Sequence, residues 1–316
     1  GQVAQSLLET IRNDRSVQES SLSCVLLKKF FLEEQASAKI SPEDLEQMRS
    51  AIMDSLNFAA GNNQVLKRKG ELLSKIYAKQ SKSEDLLKLL VQWATADDAA
   101  SREFSMYVFE ILSDIHLTSD QLTNYKSDFM QIFEKALQDR EISVRVAAFK
   151  AITAFFNGID DQDVVLQFIT VMPKLLDIVV ETLKQNETHG LTALESMEDL
   201  TKNHPEIWKG HTSQLVNVIS QVMQNKDFDE GTRAAAAEIV AALSEQMPAA
   251  LRKTDECKTM LFPALAQMLT EVEQDDQVWA ETTDEDESLA KDPANTAVSI
   301  IGRISNDLGE KTTLAA

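Results

Sequence analysis

Apolar positions along this chain recur mostly at helical spacing. Phe129, Ile132, Phe133, Ala136 and Leu137 stand at i, i+3, i+4, i+7 and i+8, one stripe of an amphipathic helix whose other face is polar. After the turn Gln138-Asp139-Arg140-Glu141 comes Val144 to Phe156, where Val144, Val146, Ala147, Ala148, Phe149, Ile152, Phe155 and Phe156 leave little polar face. A helix apolar on most sides must be covered on most sides, by its own partner and by the helices before and after it. The first kind is an A helix and the second a B helix, and Gly158 marks the end of this B helix.

The same grammar predicts A/B pairs at 2–12 with 16–32, 42–60 with 63–79, 84–95 with 99–116, 120–138 with 142–157, 162–185 with 187–203, 205–225 with 230–247, and 250–273 with 292–308. That makes about seven pairs, the first incomplete. Three B helices open on a basic residue, at Ser101-Arg102-Glu103, Val144-Arg145-Val146 and Thr232-Arg233-Ala234. From Arg102 to Arg145 is 43 residues, and from Arg145 to Arg233 is 88, or two steps of 44. Helix pairs repeating every 40 to 47 residues or so are the mark of HEAT and armadillo arrays. The expected fold is an all-α, right-handed α-solenoid of about seven HEAT repeats, one array over 1–316 with an insertion at about 271–290 in the last full repeat. A solenoid offers extended surface to other macromolecules, which points to a binding function.

Prolines punctuate this pattern. Ser41-Pro42-Glu43-Asp44 reads as a helix start, with Ser41 as cap, Pro42 in the first turn and carboxylates at the positive end of the dipole. Pro173 and Pro263 fall inside apolar A-helix patterns two repeats apart, so a shared kink is expected at both.

Only 9 glycines and 6 prolines interrupt the chain, and no alternation of strands with helices appears. Its 51 acidic against 31 basic residues give a formal charge of -20, which repels phosphate backbones, argues against direct nucleic-acid binding and favours basic partners. Cys24 and Cys257 are the only cysteines, so no disulfide framework or CxxC motif exists, and a reducing compartment fits. No run of 18 apolar residues and no signal peptide is present, so no membrane insertion is expected; the start at Gly1 within a helical pattern suggests a trimmed chain.

Catalytic chemistry has no motif here. His116, His189, His204 and His211 are scattered without cysteine or HExxH context, and no nucleotide-cradling loop or GxSxG stands in the chain. No enzyme activity, metal or cofactor is expected. Lys67-Arg68-Lys69 is too small to be a nucleic-acid patch on so acidic a chain. The stretch Glu271 to Glu287 holds nine carboxylates, Glu271, Glu273, Asp275, Asp276, Glu281, Asp284, Glu285, Asp286 and Glu287, with no Lys or Arg and with Trp279 among them. It reads either as a solvated loop or as a charged arm that pairs with a basic partner while Trp279 anchors it by packing.

Taken in order, several segments resemble the N-terminal part of the importin-beta family of nuclear transport receptors, its importin beta-three branch in particular. They are Cys24-Val25-Leu26-Leu27-Lys28-Lys29-Phe30-Phe31, Lys67-Arg68-Lys69-Gly70-Glu71-Leu72-Leu73, Ser101-Arg102-Glu103, Leu243-Ser244-Glu245, and Pro263-Ala264-Leu265-Ala266-Gln267-Met268-Leu269 followed by the acidic stretch with Trp279-Ala280 inside it; Ala297 to Gly309 with Leu314 looks like the continuation into a next repeat. The resemblance implies a carrier that shuttles between cytoplasm and nucleus through the pore, with Ran-GTP binding the early repeats to release protein cargo. By position it implies Lys28, Lys29, Lys67, Arg68, Lys69 and Arg102 as Ran-binding candidates. It further implies Asp275, Asp276, Trp279, Glu281, Asp284, Glu285, Asp286 and Glu287 as an arm against Ran or basic cargo, and phenylalanine-glycine nucleoporins docked between A helices at about 162–273. The competing reading is a HEAT scaffold subunit of a cytosolic complex, which explains the repeats but gives no reason for an acidic insertion.

Overall fold

A computed structural model describes residues 2–13, 16–32, 40–59, 61–113, 117–271 and 292–309, and among these residues every regular element is helical. The fold is all-α, built of antiparallel helix pairs of the HEAT kind, about seven in number. The chain divides into two compact units, Gly1–Asp160 and Asp161–Ala316, and each is described by itself.

In the first unit the A helices are α1 (Gln2–Asn13), α3 (Pro42–Asp54), α5 (Ser83–Ala94) and the broken pair α7 (Ser119–Asn124) and α8 (Lys126–Ala136). The B helices are α2 (Val17–Leu27), which runs on into a π-helical turn at Lys28–Leu32, then α4 (Asn63–Lys79), α6 (Ala99–Ile111) and α9 (Ile142–Asn157). Each of these B helices packs on its own A helix, and α2 on α4, α4 on α6 and α6 on α9, so the four B helices lie in one layer. Covered by α6 and α8, α9 buries Val144, Val146, Ala148, Phe149, Ile152, Phe155 and Phe156 over a broad apolar face. Phe109 of α6, Phe129 and Phe133 of α8 and Phe155 of α9 meet mostly edge to face with centroids 5.3 to 6.0 Å apart, tying three helices by their largest side chains.

Two glycines are set by space. A Cβ on Gly70 would stand 2.9 Å from Val108 and 3.1 Å from the Phe104 ring, so this position lets α4 approach α6. Gly158 caps α9 with a right-handed φ of -85°, and a Cβ there would meet Leu122 at 2.5 Å and the Ser113 carbonyl at 2.9 Å. Crowding therefore requires glycine at this cap, which lacks the left-handed turn common at helix ends.

The second unit repeats the plan. Its A helices are α10 (Gln162–Leu166) leading through a 3-10 turn to α11 (Met172–Gln185), then α13 (Thr212–Gln224), then α15 (Pro248–Leu251) leading through a π-helical turn at Cys257–Leu261 to α16 (Phe262–Leu269). Its B helices are α12 (Glu187–Asn203), α14 (Glu230–Gln246) and α17 (Pro293–Leu308), with α14 packed between the other two. Trp208, fully buried, donates its indole N–H to Thr201 Oγ1 at 2.9 Å, so the polar edge of this core aromatic is satisfied.

The expectation for Pro173 needs correction: the A helix is interrupted after Leu166, and Pro173 stands in the first turn of α11, where its missing N–H costs nothing. Pro263 follows directly on the π-helical turn Cys257–Leu261, with right-handed helical backbone at Leu261 and Phe262, so it stands inside a continuous helical run as its sequence pattern suggests. Ser41 behaves as its sequence suggests, accepting the Asp44 N–H at 3.0 Å ahead of Pro42.

Phe149 is 0% exposed, so Phe149→Ala should cost about 3 to 5 kcal/mol in urea unfolding, whereas a change within about 0.5 kcal/mol would mean the side chain packs against nothing rigid. Gly70→Ala, which ought to gain helix propensity at an open site, should destabilise instead by about 1 to 3 kcal/mol because it overfills the contact with Phe104 and Val108.

Candidate functional site

Basic residues at the heads of the B helices carry two different duties. Lys69 is 1% exposed and donates to the carbonyl of Ser55, the residue that caps α3. Arg102 sends Nε and Nη2 to Asp139 at 2.6 and 2.9 Å and Nη1 to the carbonyls of Ala96 and Asp97 at 3.0 and 2.7 Å. Its guanidinium thus clamps the turn of its own repeat to the turn of the next. Arg233 does the same in the second unit, with Nε on the Met223 carbonyl at 2.8 Å and the Nη atoms on both oxygens of Glu271 at 2.7 and 2.9 Å. Two of the residues expected to face a partner, Lys69 and Arg102, are therefore corrected to internal braces. A lysine turned inward and an arginine with its fork filled have little left to offer a ligand.

Burial alone would raise the Asp139 carboxyl, but hydrogen bonds from Arg102 and from the Glu141 N–H, with the charge of Arg102, hold it below the usual carboxylate range.

The other four candidates lie together on the B layer of the first unit. Lys28 reaches Glu71 at 2.7 Å, and Arg68 Nη1 reaches the same carboxylate at 3.0 and 3.2 Å. Tyr107, one helix further on, donates to Glu71 at 3.1 Å, and Lys67 Nζ sits 5.4 Å from the Tyr107 ring centre. Lys29 and Lys67 are exposed. Burial tends to raise the Glu71 carboxyl, yet its bonds and charge contacts to Lys28 and Arg68, with Tyr107, keep it low. Burial first and the Glu71 charge second raise the Tyr107 phenol, so it remains a donor at neutral pH. Lys150 of α9 meets Glu110 of α6 at 2.9 Å, continuing the row of cross-helix pairs.

Glu71 and Tyr107 were absent from the sequence-derived site, although a signal existed. Glu71 follows Arg68 by three residues, a spacing that brings side chains together on a helix, and stands 43 residues after Lys28, one repeat step. In stacked repeats the residue one period away plays the part that i+4 plays along a helix.

The second unit presents the opposite sign. Arg303 of α17 is gripped by Glu238 at 2.6 Å and Glu245 at 2.6 Å from α14, and Lys202 pairs with Glu198 at 2.5 Å on α12. Of the acidic stretch, Glu271 is described and is not free: besides Arg233 it meets Lys226 at 3.3 Å. Asp275, Asp276, Trp279, Glu281, Asp284, Glu285, Asp286 and Glu287 lie outside the described residues. Among the described residues of 162–273, where nucleoporin contacts were expected, Leu166 is the large apolar side chain more than a third exposed, at 37%.

Comparison with known proteins gives this geometry a context. Residues 63–218 match the family model described as IPO5-like, TPR repeats, and residues 225–315 match the importin repeat model. Importin subunit beta-3 of Saccharomyces cerevisiae is 24% identical over 297 residues, covering 88% of this chain and 26% of that protein. The crystal structure of the karyopherin Kap121p bound to the extreme C-terminus of the protein phosphatase Cdc14p superposes with a TM-score of 0.79 at 21% identity, over 99% of this chain and 30% of that one. Kap121p bound to Nup53p gives 0.80 at 21% identity, again over 99% and 30%. The likeness to these structures is one of fold, and the chain spans little more than a quarter of the length of the yeast relative.

The clamp yields a test in two parts. Arg102→Met should cost about 3 kcal/mol by leaving Asp139 half-buried without its counter-ion, measured by chemical unfolding at pH 7. Because the Asp139 pKa is depressed in the fold, its contribution is fully present above the unfolded value of about 3.9 and is lost as pH falls through the lower folded value; the gap between Asp139→Asn and the unmodified chain should therefore close at strongly acid pH.

Proposed function

Because the chain belongs to the importin-beta family, we propose that it forms part of a receptor that carries protein cargo through nuclear pores, shuttling between cytoplasm and nucleus, and that GTP-bound Ran docks on the B layer of its first unit. The observation that carries this reading is the cluster of Lys28, Lys29, Lys67 and Arg68 on two adjacent B helices of a chain whose formal charge is -20. Cations gathered on one face of an acidic molecule attract an acidic partner to that face and turn it away elsewhere. The role is that of a carrier, and no catalytic chemistry is assigned to it.

Cargo and nucleoporins complete the reading. Kap121p, of the same fold, binds a protein tail in one crystal structure and Nup53p in another. In the present chain Asp275, Asp276, Trp279, Glu281, Asp284, Glu285, Asp286 and Glu287 supply an acidic arm for basic cargo or for Ran, and phenylalanine-glycine nucleoporins dock between A helices of the second unit. The carboxylates Glu238 and Glu245 place the same sign of charge on the B helices there, which favours basic cargo.

Reversing Lys28, Lys29, Lys67 and Arg68 to Glu should weaken binding of Ran locked in its GTP state by about tenfold or more at low salt, with helicity unchanged by circular dichroism. Ran-GDP should bind weakly to both forms. Equal affinity of the two forms for Ran-GTP would remove this face from the site, and binding indifferent to nucleotide would favour a scaffold subunit.

A further inference from the structure

The cationic cluster on the first unit already holds an anion of its own. Glu71 takes Lys28 from the helix before it, Arg68 from one turn earlier on its own helix, and Tyr107 from the helix after. Its side chain is 17% exposed, while those of Lys28 and Arg68 are 35% and 39% exposed. We propose that Glu71 is an internal competitor: it occupies the place that a carboxylate of an acidic protein partner takes, and it gives up Lys28 and Arg68 when that partner binds.

The contrast with Arg102 supports the assignment. Arg102 meets its carboxylate with two nitrogens and fills a third with backbone carbonyls, at 11% exposure, so it is bound into the fold. Arg68 spends only Nη1 on Glu71, which leaves Nε and Nη2 uncommitted among the described residues, and Lys28 spends a single bond. Ion pairs of that kind, one-pronged and open to water, are weak and exchange readily, whereas an incoming carboxylate that engages the free side of the Arg68 fork makes the stronger two-pronged bond. Tyr107 gives the displaced Glu71 somewhere to stay, because its hydroxyl remains a donor whichever cations leave. Lys67, beside the Tyr107 ring, is a third cation within the cluster and pairs with no carboxylate among the described residues.

This inference rests on the reading of the B layer as a docking surface for an acidic partner, and its test separates the two. Glu71→Gln keeps an acceptor for Tyr107 and removes the competing charge. Titrated with a fluorescein-labelled peptide of ten glutamates, the variant should bind about tenfold more tightly than the unmodified chain at low salt, and the gain should shrink as salt rises. If Glu71 merely holds the cluster in shape, the variant binds the peptide equally or more weakly, and the proposal falls; it falls also if neither form binds the peptide. Should Glu71→Gln melt early, Tyr107→Phe decides in its place: it removes the hydrogen bond that holds the displaced Glu71 without changing charge, so weaker peptide binding supports the competitor while equal or tighter binding overturns it. A parallel titration with Ran-GTP keeps the readings apart. A tightened peptide with no Ran-GTP binding by either form retains the competitor and removes Ran, and Ran-GTP binding without tightening does the reverse.

Discussion

What this structure depends on is the need to cover helices that are apolar nearly all round. A helix such as α9, with Phe149, Phe155 and Phe156 on different sides, cannot stand at a surface and must be enclosed by its own A helix and by B helices beside it. That requirement sets the order of elements, because each enclosed helix needs a pair before or after it, and stacked pairs meet it. Hydrophobic burial of this sort has little directional preference. The register between neighbouring pairs is therefore left to polar contacts at their edges, and Arg102 with Asp139 and Arg233 with Glu271 fill that role by joining one repeat's turn to the next.

The helix pairs were legible because burial leaves its period in the sequence. Heads and ends of the B helices fall within a few residues of the positions that the apolar pattern predicts, and the 43- and 44-residue steps reflect the recurring basic residue at their heads. The direction of that basic residue was not legible. Lys69 and Arg102 stand, like Lys67 and Arg68, near the heads of B helices, and what turns the first two inward is an acceptor elsewhere, the Ser55 carbonyl or the Asp139 carboxylate. Pro173 was misread for a related reason: an apolar pattern continues across a break as smoothly as across a kink, and only the hydrogen-bond partners of the preceding residues tell the two apart. Glu271, counted with eight other acids as part of a charged run, is bound by Arg233 and Lys226.

Charge on this molecule is organised by layer and by unit. The chain as a whole is strongly acidic, yet Lys28, Lys29, Lys67 and Arg68 gather on B helices of the first unit, and on B helices of the second the carboxylates Glu238 and Glu245 surround a single Arg303. A surface divided in this way discriminates between partners by sign before any close contact forms. It also explains why net charge, the first quantity read from the sequence, pointed to basic partners and missed a local face of the opposite kind.

The central claim, that an acidic partner occupies the B layer of the first unit, is tested most directly by hydrogen exchange of the chain with and without Ran locked in its GTP state. Slowed exchange is expected in the B-layer segments that carry the cations, Val17–Leu27 with the turn Lys28–Leu32 and Asn63–Lys79, with the intervening A helix, Pro42–Asp54, unchanged and with no effect from Ran-GDP. Protection confined to Asp161–Ala316, or equal protection by both nucleotide states, would contradict it.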